Sequence, residues 1–134
     1  MNTPTVIDEG IKKMIDVYSR SISGEEYDTT FLKTHLKNIM WENVGIIRTE
    51  DGLKMAEAEV DKLRENFKRR RKCLNQNEYE YRNMLTVASL IIKSALERKE
   101  SRGAHCRSDF SSTNEVAKHS VTDKLNKKGL CYVE

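Results

Sequence analysis

Hydrophobic residues recur along this chain at intervals of three and four, and three long stretches carry the pattern clearly. Leu32, Leu36, Ile39, Met40, Val44 and Ile47 fall on one stripe of a helix over about 30–47. Leu53, Ala56, Val60, Leu63 and Phe67 alternate like the inward positions of a bundle seam, with Thr49 placed to cap the segment. Asn75 and Glu78 have the spacing of a capping box. Behind them Tyr81, Met84, Leu85, Ala88, Ile91, Ile92, Ala95 and Leu96 form a wide apolar face on a helix that should end near Ser101, with Gly103 as a left-handed cap. A shorter run, Ile7, Ile11, Met14, Ile15 and Tyr18 behind Thr3-Pro4, predicts a helix over 5–19. The polar stretch from Ser19 to Thr30 links it to the rest. Short connections favour antiparallel neighbours, so the expected fold is all-α: an up-down-up three-helix bundle with a short N-terminal helix and an irregular C-terminal tail holding at most one short helix. This divides the chain into an N-terminal helix and linker (1–29), a bundle (30–103), and a docking segment with tail (104–134).

Composition agrees and adds exclusions. In 134 residues there are six glycines and one proline, too few for a sandwich or barrel. A net charge of +3 from 24 basic and 21 acidic side chains does not dictate a polyanionic partner. Three cysteines, Cys73, Cys106 and Cys131, form no paired motif, and their odd number suits a reducing cytoplasm. No eighteen apolar residues run together and no leader pattern opens the chain, so neither membrane insertion nor export is expected.

Candidate chemistry is sparse. A nucleotide site needs a glycine-rich turn that lets backbone N–H groups approach phosphates, and neither GxGxxG nor GxxxxGK[ST] occurs. GxSxG, HExxH and zinc-type cysteine pairs are also absent. His105, Cys106 and His119 are too few and too widely spaced for a closed metal site. No catalytic, cofactor-binding or metal-binding residue is therefore assigned. Lys68 to Lys72 reads KRRRK, but a helix spreads five consecutive residues around its circumference. Cations at a helix C-terminus also complement its dipole, which argues against a nucleic-acid partner. The stretch Glu100 to Phe110, ESRGAHCRSDF, is different. It sets two arginine forks, a histidine and two carboxylates just after an apolar helix, a set suited to directional contacts with another surface.

That stretch closely resembles the ESRGAHxRxDFP signature in the C-terminal region of the succinate dehydrogenase and fumarate reductase flavoprotein family, which includes L-aspartate oxidase. Met40 to Arg48, MWENVGIIR, resembles the family's MWxxVGIxR segment, and Arg82 to Ala88 resembles its RNxxxVA stretch. The three occur in order across roughly 30–110, and their combination looks most like L-aspartate oxidase. The resemblance implies a spectrin-repeat-like helical domain. It also implies a parent reaction, FAD-dependent oxidation of L-aspartate to iminoaspartate for quinolinate and NAD biosynthesis, with electrons passing to oxygen or fumarate.

The family's FAD-binding and capping domains and their catalytic side chains have no counterpart in 1–134. No residue here inherits a catalytic role, and FAD belongs to the parent flavoprotein. Ser111 stands where the signature has proline. The implied role is docking on a flavin-binding domain of the same or a separately encoded chain, through Trp41, Arg48, Glu100, Ser101, Arg102, His105 and Arg107. The alternatives are a succinate dehydrogenase or fumarate reductase flavoprotein as parent, a complex that carries the full activity with Arg102 or His105 completing the dicarboxylate site in trans, or a helical nucleic-acid or adaptor module using Lys68–Lys72.

Overall fold

The computed structural model describes residues 29–69, 75–121 and 131–133. Three helices dominate: α1 (Thr29–Val44), α2 (Glu50–Lys68) and α3 (Gln76–Glu97). Each buries most of the stripe its spacing announces, with Met40, Met84 and Leu96 partly buried and Ile91 of α3, expected on the apolar face, 41% exposed. Leu32, Leu36 and Ile39 of α1 meet Leu53, Ala56, Val60, Leu63 and Phe67 of α2 and Tyr81, Leu85, Ala88, Ile92 and Ala95 of α3 in one core. Phe67 and Tyr81 pack edge to face, with ring centroids 5.7 Å apart, and join the far ends of α2 and α3. Lys33 and Glu80 pair near the N-termini of α1 and α3, so those two helices run in the same direction with α2 reversed between them. This is the up-down-up bundle that the periodicity predicts.

Local chemistry sets the helix starts. The Thr49 hydroxyl accepts from the Gly52 N–H at 3.1 Å, and Glu50 and Asp51 place negative charge in the first turn of α2. At α3 the capping box is complete. Asn75 Oδ1 accepts from the Glu78 N–H at 3.0 Å, and Glu78 Oε2 accepts from the Asn75 N–H at 2.9 Å. Substituting Asn75→Ala removes the side-chain half of this box and should lower the unfolding free energy by about 1 kcal/mol, measured by denaturant titration.

Several boundaries differ from the sequence expectation. α1 ends at Val44, not 47. A Cβ on Gly45 would lie 2.4 Å from the Trp41 carbonyl oxygen, so the chain leaves the helix through a close approach that glycine allows. Ile47, expected in the core, is 66% exposed in a two-residue strand, β1 (Ile47–Arg48). α3 ends at Glu97 rather than near Ser101, because Arg98 turns to extended backbone. Gly103 does adopt a left-handed φ of 58°, but in the turn that pairs Arg102 with His105, not as a helix cap. That turn leads into β2 (Cys106–Arg107), which pairs in parallel with β1. Where an irregular tail was expected, β3 (His119–Val121) pairs antiparallel with β4 (Cys131–Val133). The helix expected over 5–19 and most of the basic run, residues 70–72, lie outside the described residues; of that run, Lys68 pairs with Glu65.

Candidate docking site

The C-terminal ends of α1 and α3 and the N-terminus of α2 meet at one end of the bundle. Helix termini carry unsatisfied backbone groups and opposite partial charges, so this end needs donors for two helices and an acceptor for the third. The segment after α3 supplies them.

Arg107 has no solvent exposure. Its Nη1 donates to the Ala95 carbonyl of the last α3 turn at 2.8 Å, while Nε and Nη2 grip both Asp109 oxygens at 2.7 Å. Asp109 Oδ2 then accepts from the Glu50 N–H at 2.9 Å, at the start of α2. One ion pair thus bridges the negative end of α3 and the positive end of α2. The Arg107 fork holds the Asp109 carboxyl well below the usual carboxylate range. Phe110 lies under the Arg107 guanidinium at 4.9 Å.

Arg48 does the same for α1, its Nε donating to the Val44 and Gly45 carbonyls at 3.1 Å. Its Nη1 donates to His105 Nδ1 at 2.8 Å, and His105 Nε2–H donates to the Arg98 carbonyl, the cap of α3, at 3.0 Å. This assigns the neutral Nε2–H tautomer, because a guanidinium has no acceptor to offer. Burial lowers the His105 pKa, and the Arg48, Arg107 and Arg98 charges lower it further, against the Arg98 carbonyl bond that raises it.

Glu100, 2% exposed, accepts from Arg98 Nη1 at 2.7 Å, from the Asn114 N–H at 3.0 Å and from Arg102 Nε at 3.2 Å. The Asn114 bond first, then Arg102 and Arg98, lower its pKa. Arg102 Nη2 reaches the Asn114 carbonyl at 2.6 Å, and Arg98 Nη2 reaches the Lys118 carbonyl at 2.8 Å and Ser120 Oγ at 3.0 Å. Ser101 Oγ accepts from the Arg107 N–H at 2.8 Å and donates to the Phe110 carbonyl at 2.8 Å. Of the residues beyond Ser111, these bonds tie Asn114, Lys118 and Ser120 to the bundle end, although the signature's proline is replaced.

A two-step pH response follows. The folded His105 pKa lies below its unfolded value, so its contribution is intact above about pH 7 and falls as the pH drops through about 6.5, where only the unfolded chain takes up the proton. Glu100 and Asp109, also lowered, add a second fall below about pH 4.3. Urea titrations from pH 8 to 3 should show both, and His105→Gln should abolish only the first.

In the segment that the sequence singles out, Glu100 and Arg107 are buried and spend their polar atoms inside the chain. Neither presents a free fork to another surface. Outward-facing groups are Arg102, whose side chain is 34% exposed, and Trp41, Ile46 and Ile47, exposed by 74%, 74% and 66%. Trp41 therefore sits outside the core. Sequence reasoning counts Asp109 among the carboxylates of the stretch without giving it a role, and misses Arg98, which bonds Glu100, Lys118 and Ser120; for Asp109 its place two residues after Arg107 is the available signal. Among the described residues no three His, Cys, Asp or Glu side chains gather as a metal site, and no helix is long and apolar enough to cross a membrane.

The family model described as "Fumarate reductase flavoprotein C-term" matches residues 33–133. The chain belongs to this flavoprotein C-terminal family. Among its relatives, an uncharacterized FAD-dependent oxidoreductase of Methanocaldococcus jannaschii is 44% identical over 97 residues, 69% of this chain and 18% of the relative. The L-aspartate oxidase of Pseudomonas aeruginosa is 38% identical over 82 residues, 56% of this chain and 14% of that protein. A fumarate reductase (CoM/CoB) polypeptide of Methanothermobacter marburgensis is 36% identical over 104 residues, 72% of this chain and 19% of the relative. This chain thus spans less than a fifth of these curated relatives. The fold matches a chain of the Mycobacterium smegmatis Sdh1 complex in the apo form, with a TM-score of 0.57 at 24% identity over 77% of this chain and 20% of that one. In this flavoprotein C-terminal domain, the ESRGAHCRSDF segment closes the helix ends.

At the start of α2 the Gly52 and Glu50 N–H groups are engaged by Thr49 and Asp109, and at α3 the Glu78 N–H by Asn75, so these three groups are not free to hold the pyrophosphate of a dinucleotide such as FAD.

Proposed function

We propose that this chain is the non-catalytic helical C-terminal domain of an L-aspartate oxidase-like flavoprotein, packing on a flavin-binding domain of the same or a separately encoded chain. The parent reaction is the FAD-dependent oxidation of L-aspartate to iminoaspartate in the cytoplasm. The observation that carries the packing role is the exposure of three large apolar side chains close in sequence, Trp41, Ile46 and Ile47, where α1 ends, at a bundle end tied together by its own ion pairs. Large apolar side chains grouped next to a polar rim are the usual makeup of an interface. Arg48, Glu100, Ser101, His105 and Arg107 act from beneath, holding that surface in shape.

The aspartate assignment is supported by identities of 38–41% to L-aspartate oxidases of Pseudomonas aeruginosa, Yersinia pestis and rice. A second reading, a fumarate reductase flavoprotein as parent, is favoured by the longer match to the Methanothermobacter polypeptide.

The test mixes the chain with the flavin-binding part of the Pseudomonas enzyme, freed of the segment that matches this chain. Aspartate-dependent peroxide and fumarate reduction are followed in parallel. Assembly with aspartate oxidation is expected, and Arg102→Ala should weaken assembly while leaving turnover per assembled complex unchanged. Arg102→Ala lowering turnover instead would point to a site completed in trans, and absence of any complex would sink the packing role.

A further inference from the structure

His105 joins β1 to the end of α3 through two bonds of opposite sense. Its Nδ1 accepts from Arg48 Nη1 at 2.8 Å, and its Nε2–H donates to the Arg98 carbonyl at 3.0 Å. Arg48 is in turn the residue that fixes β1. Its Nε donates to the Val44 and Gly45 carbonyls where α1 ends, and its own carbonyl accepts from the Ser108 N–H at 3.0 Å. The strand itself is two residues long and meets β2 at two positions, Ile47 with Cys106 and Arg48 with Arg107. So short a parallel ladder has little strength of its own. We propose that His105 is an acid-released latch: neutral, it fastens Arg48 and with it β1 to the bundle end, and on taking up a proton it frees β1 from β2 while the three helices stay folded.

The reason lies at Nδ1. A second proton on the ring turns that acceptor into a donor, and the new N–H faces the Arg48 guanidinium, which has only donors. Charge opposes the proton as well. Facing His105 are Arg48 from β1, Arg98 from the end of α3 and Arg107 from β2, all cationic, and Arg102 adds a fourth cation on its own turn. The carboxylates nearby are already paired: Glu100 with Arg98 and Arg102, Asp109 with Arg107 and the Glu50 N–H, and Glu50 with Lys54. From α1 come the Val44 and Gly45 carbonyls, which Arg48 occupies. A protonated His105 keeps its bond to the Arg98 carbonyl, so the bond that opens is the one to Arg48. Arg48 keeps the end of α1 capped, and the parting runs between β1 and β2. Histidine titrates between about pH 5 and 8, and burial with the surrounding arginines moves release into the acid half of that range.

The consequence for docking rests on the packing role proposed above. Ile46 and Ile47, exposed by 74% and 66%, lie just before and on β1. Held in place they offer a preformed apolar surface. On a freed strand a partner has to order them again, which costs affinity. Docking on the flavin-binding domain therefore weakens in acid although the bundle is unchanged.

The test reads hydrogen exchange at the Ser108 amide of the intact chain by NMR between about pH 7.5 and 5.5, corrected for the intrinsic pH dependence of exchange, beside the far-UV helical signal. Protection at Ser108 should fall at least about threefold and at most about tenfold, the limit set by one proton taken up at the ordinary histidine pKa near 6.5, while the helical signal stays constant. In His105→Gln the side-chain amide can bond Arg48 and the Arg98 carbonyl in the same senses but takes up no proton, so protection should hold steady. Should His105→Gln fail to fold, the unmodified chain still decides. Constant protection in the unmodified chain, a fall matched by loss of helical signal, or a fall that persists in His105→Gln would each overturn the latch. Titration of both chains with the flavin-binding part of the Pseudomonas enzyme at the two pH values tests the consequence. Weakening for the unmodified chain alone is expected, and equal weakening for both would overturn the regulatory role. No docking at either pH would defeat the packing role and the regulation with it, the latch itself being decided by the exchange measurement.

Discussion

Arg107→Ala should lower the unfolding free energy by about 3 kcal/mol, at the lower edge of what removing one partner of a buried ion pair costs. The lower edge applies because the Asp109 side chain keeps 29% exposure and can recover some hydration. Three losses combine in this one substitution. The Ala95 carbonyl loses its partner at the end of α3, Asp109 loses the fork that holds it, and with it the N-terminus of α2 loses its best-placed acceptor. Arg107→Lys keeps the charge but cannot reach a carbonyl and both carboxylate oxygens together, so it should recover less than half of the loss. Urea unfolding followed by circular dichroism measures both. Equal stability of Arg107→Ala and the unmodified chain would show that the bridge between α2 and α3 contributes nothing.

Leu53→Ala should cost a similar amount, about 3 kcal/mol, by a different route. Leu53 has no exposure and sits in the core shared by all three helices, so the vacated space cannot be filled by a shift of one neighbour. Met55, two residues along the same helix, is 64% exposed, and Met55→Ala should change stability by less than about 0.5 kcal/mol. The contrast between these near neighbours tests the helical phase directly. Comparable losses at both positions would mean that α2 does not present the face described.

Apolar spacing makes the bundle legible because it registers burial on a helix, and Leu36, Leu53, Leu63, Tyr81 and Ile92 all fall where the spacing puts them. Spacing does not locate the ends of α1 and α3. These ends depend on contacts between residues distant in sequence: Arg48 meets His105 across 57 positions, and the Glu50 N–H meets Asp109 across 59. For the same reason Ile47 reads as one more core position, although the pairing of β1 with β2 turns it outward. The ESRGAHCRSDF segment is visible as a dense polar motif next to an apolar helix. Its charges suggest contacts with another surface, whereas the end of α3 takes up Arg107, and Arg98, Arg102 and the Asn114 N–H take up Glu100. A local motif shows what groups are present, and only the fold decides what they face. Trp41 shows the converse, a large aromatic residue on an apolar stripe that faces outward because the core is complete without it.

The central claim is that this flavoprotein C-terminal domain braces a flavin site built elsewhere and holds no reactive centre of its own. The most direct measurement incubates the purified chain with FAD, removes unbound flavin by gel filtration, and assays the protein for flavin absorbance and for turnover of aspartate and fumarate. The account predicts a colourless protein without turnover. Stoichiometric flavin on the chain, or oxidation of aspartate by the chain unaided, would contradict it.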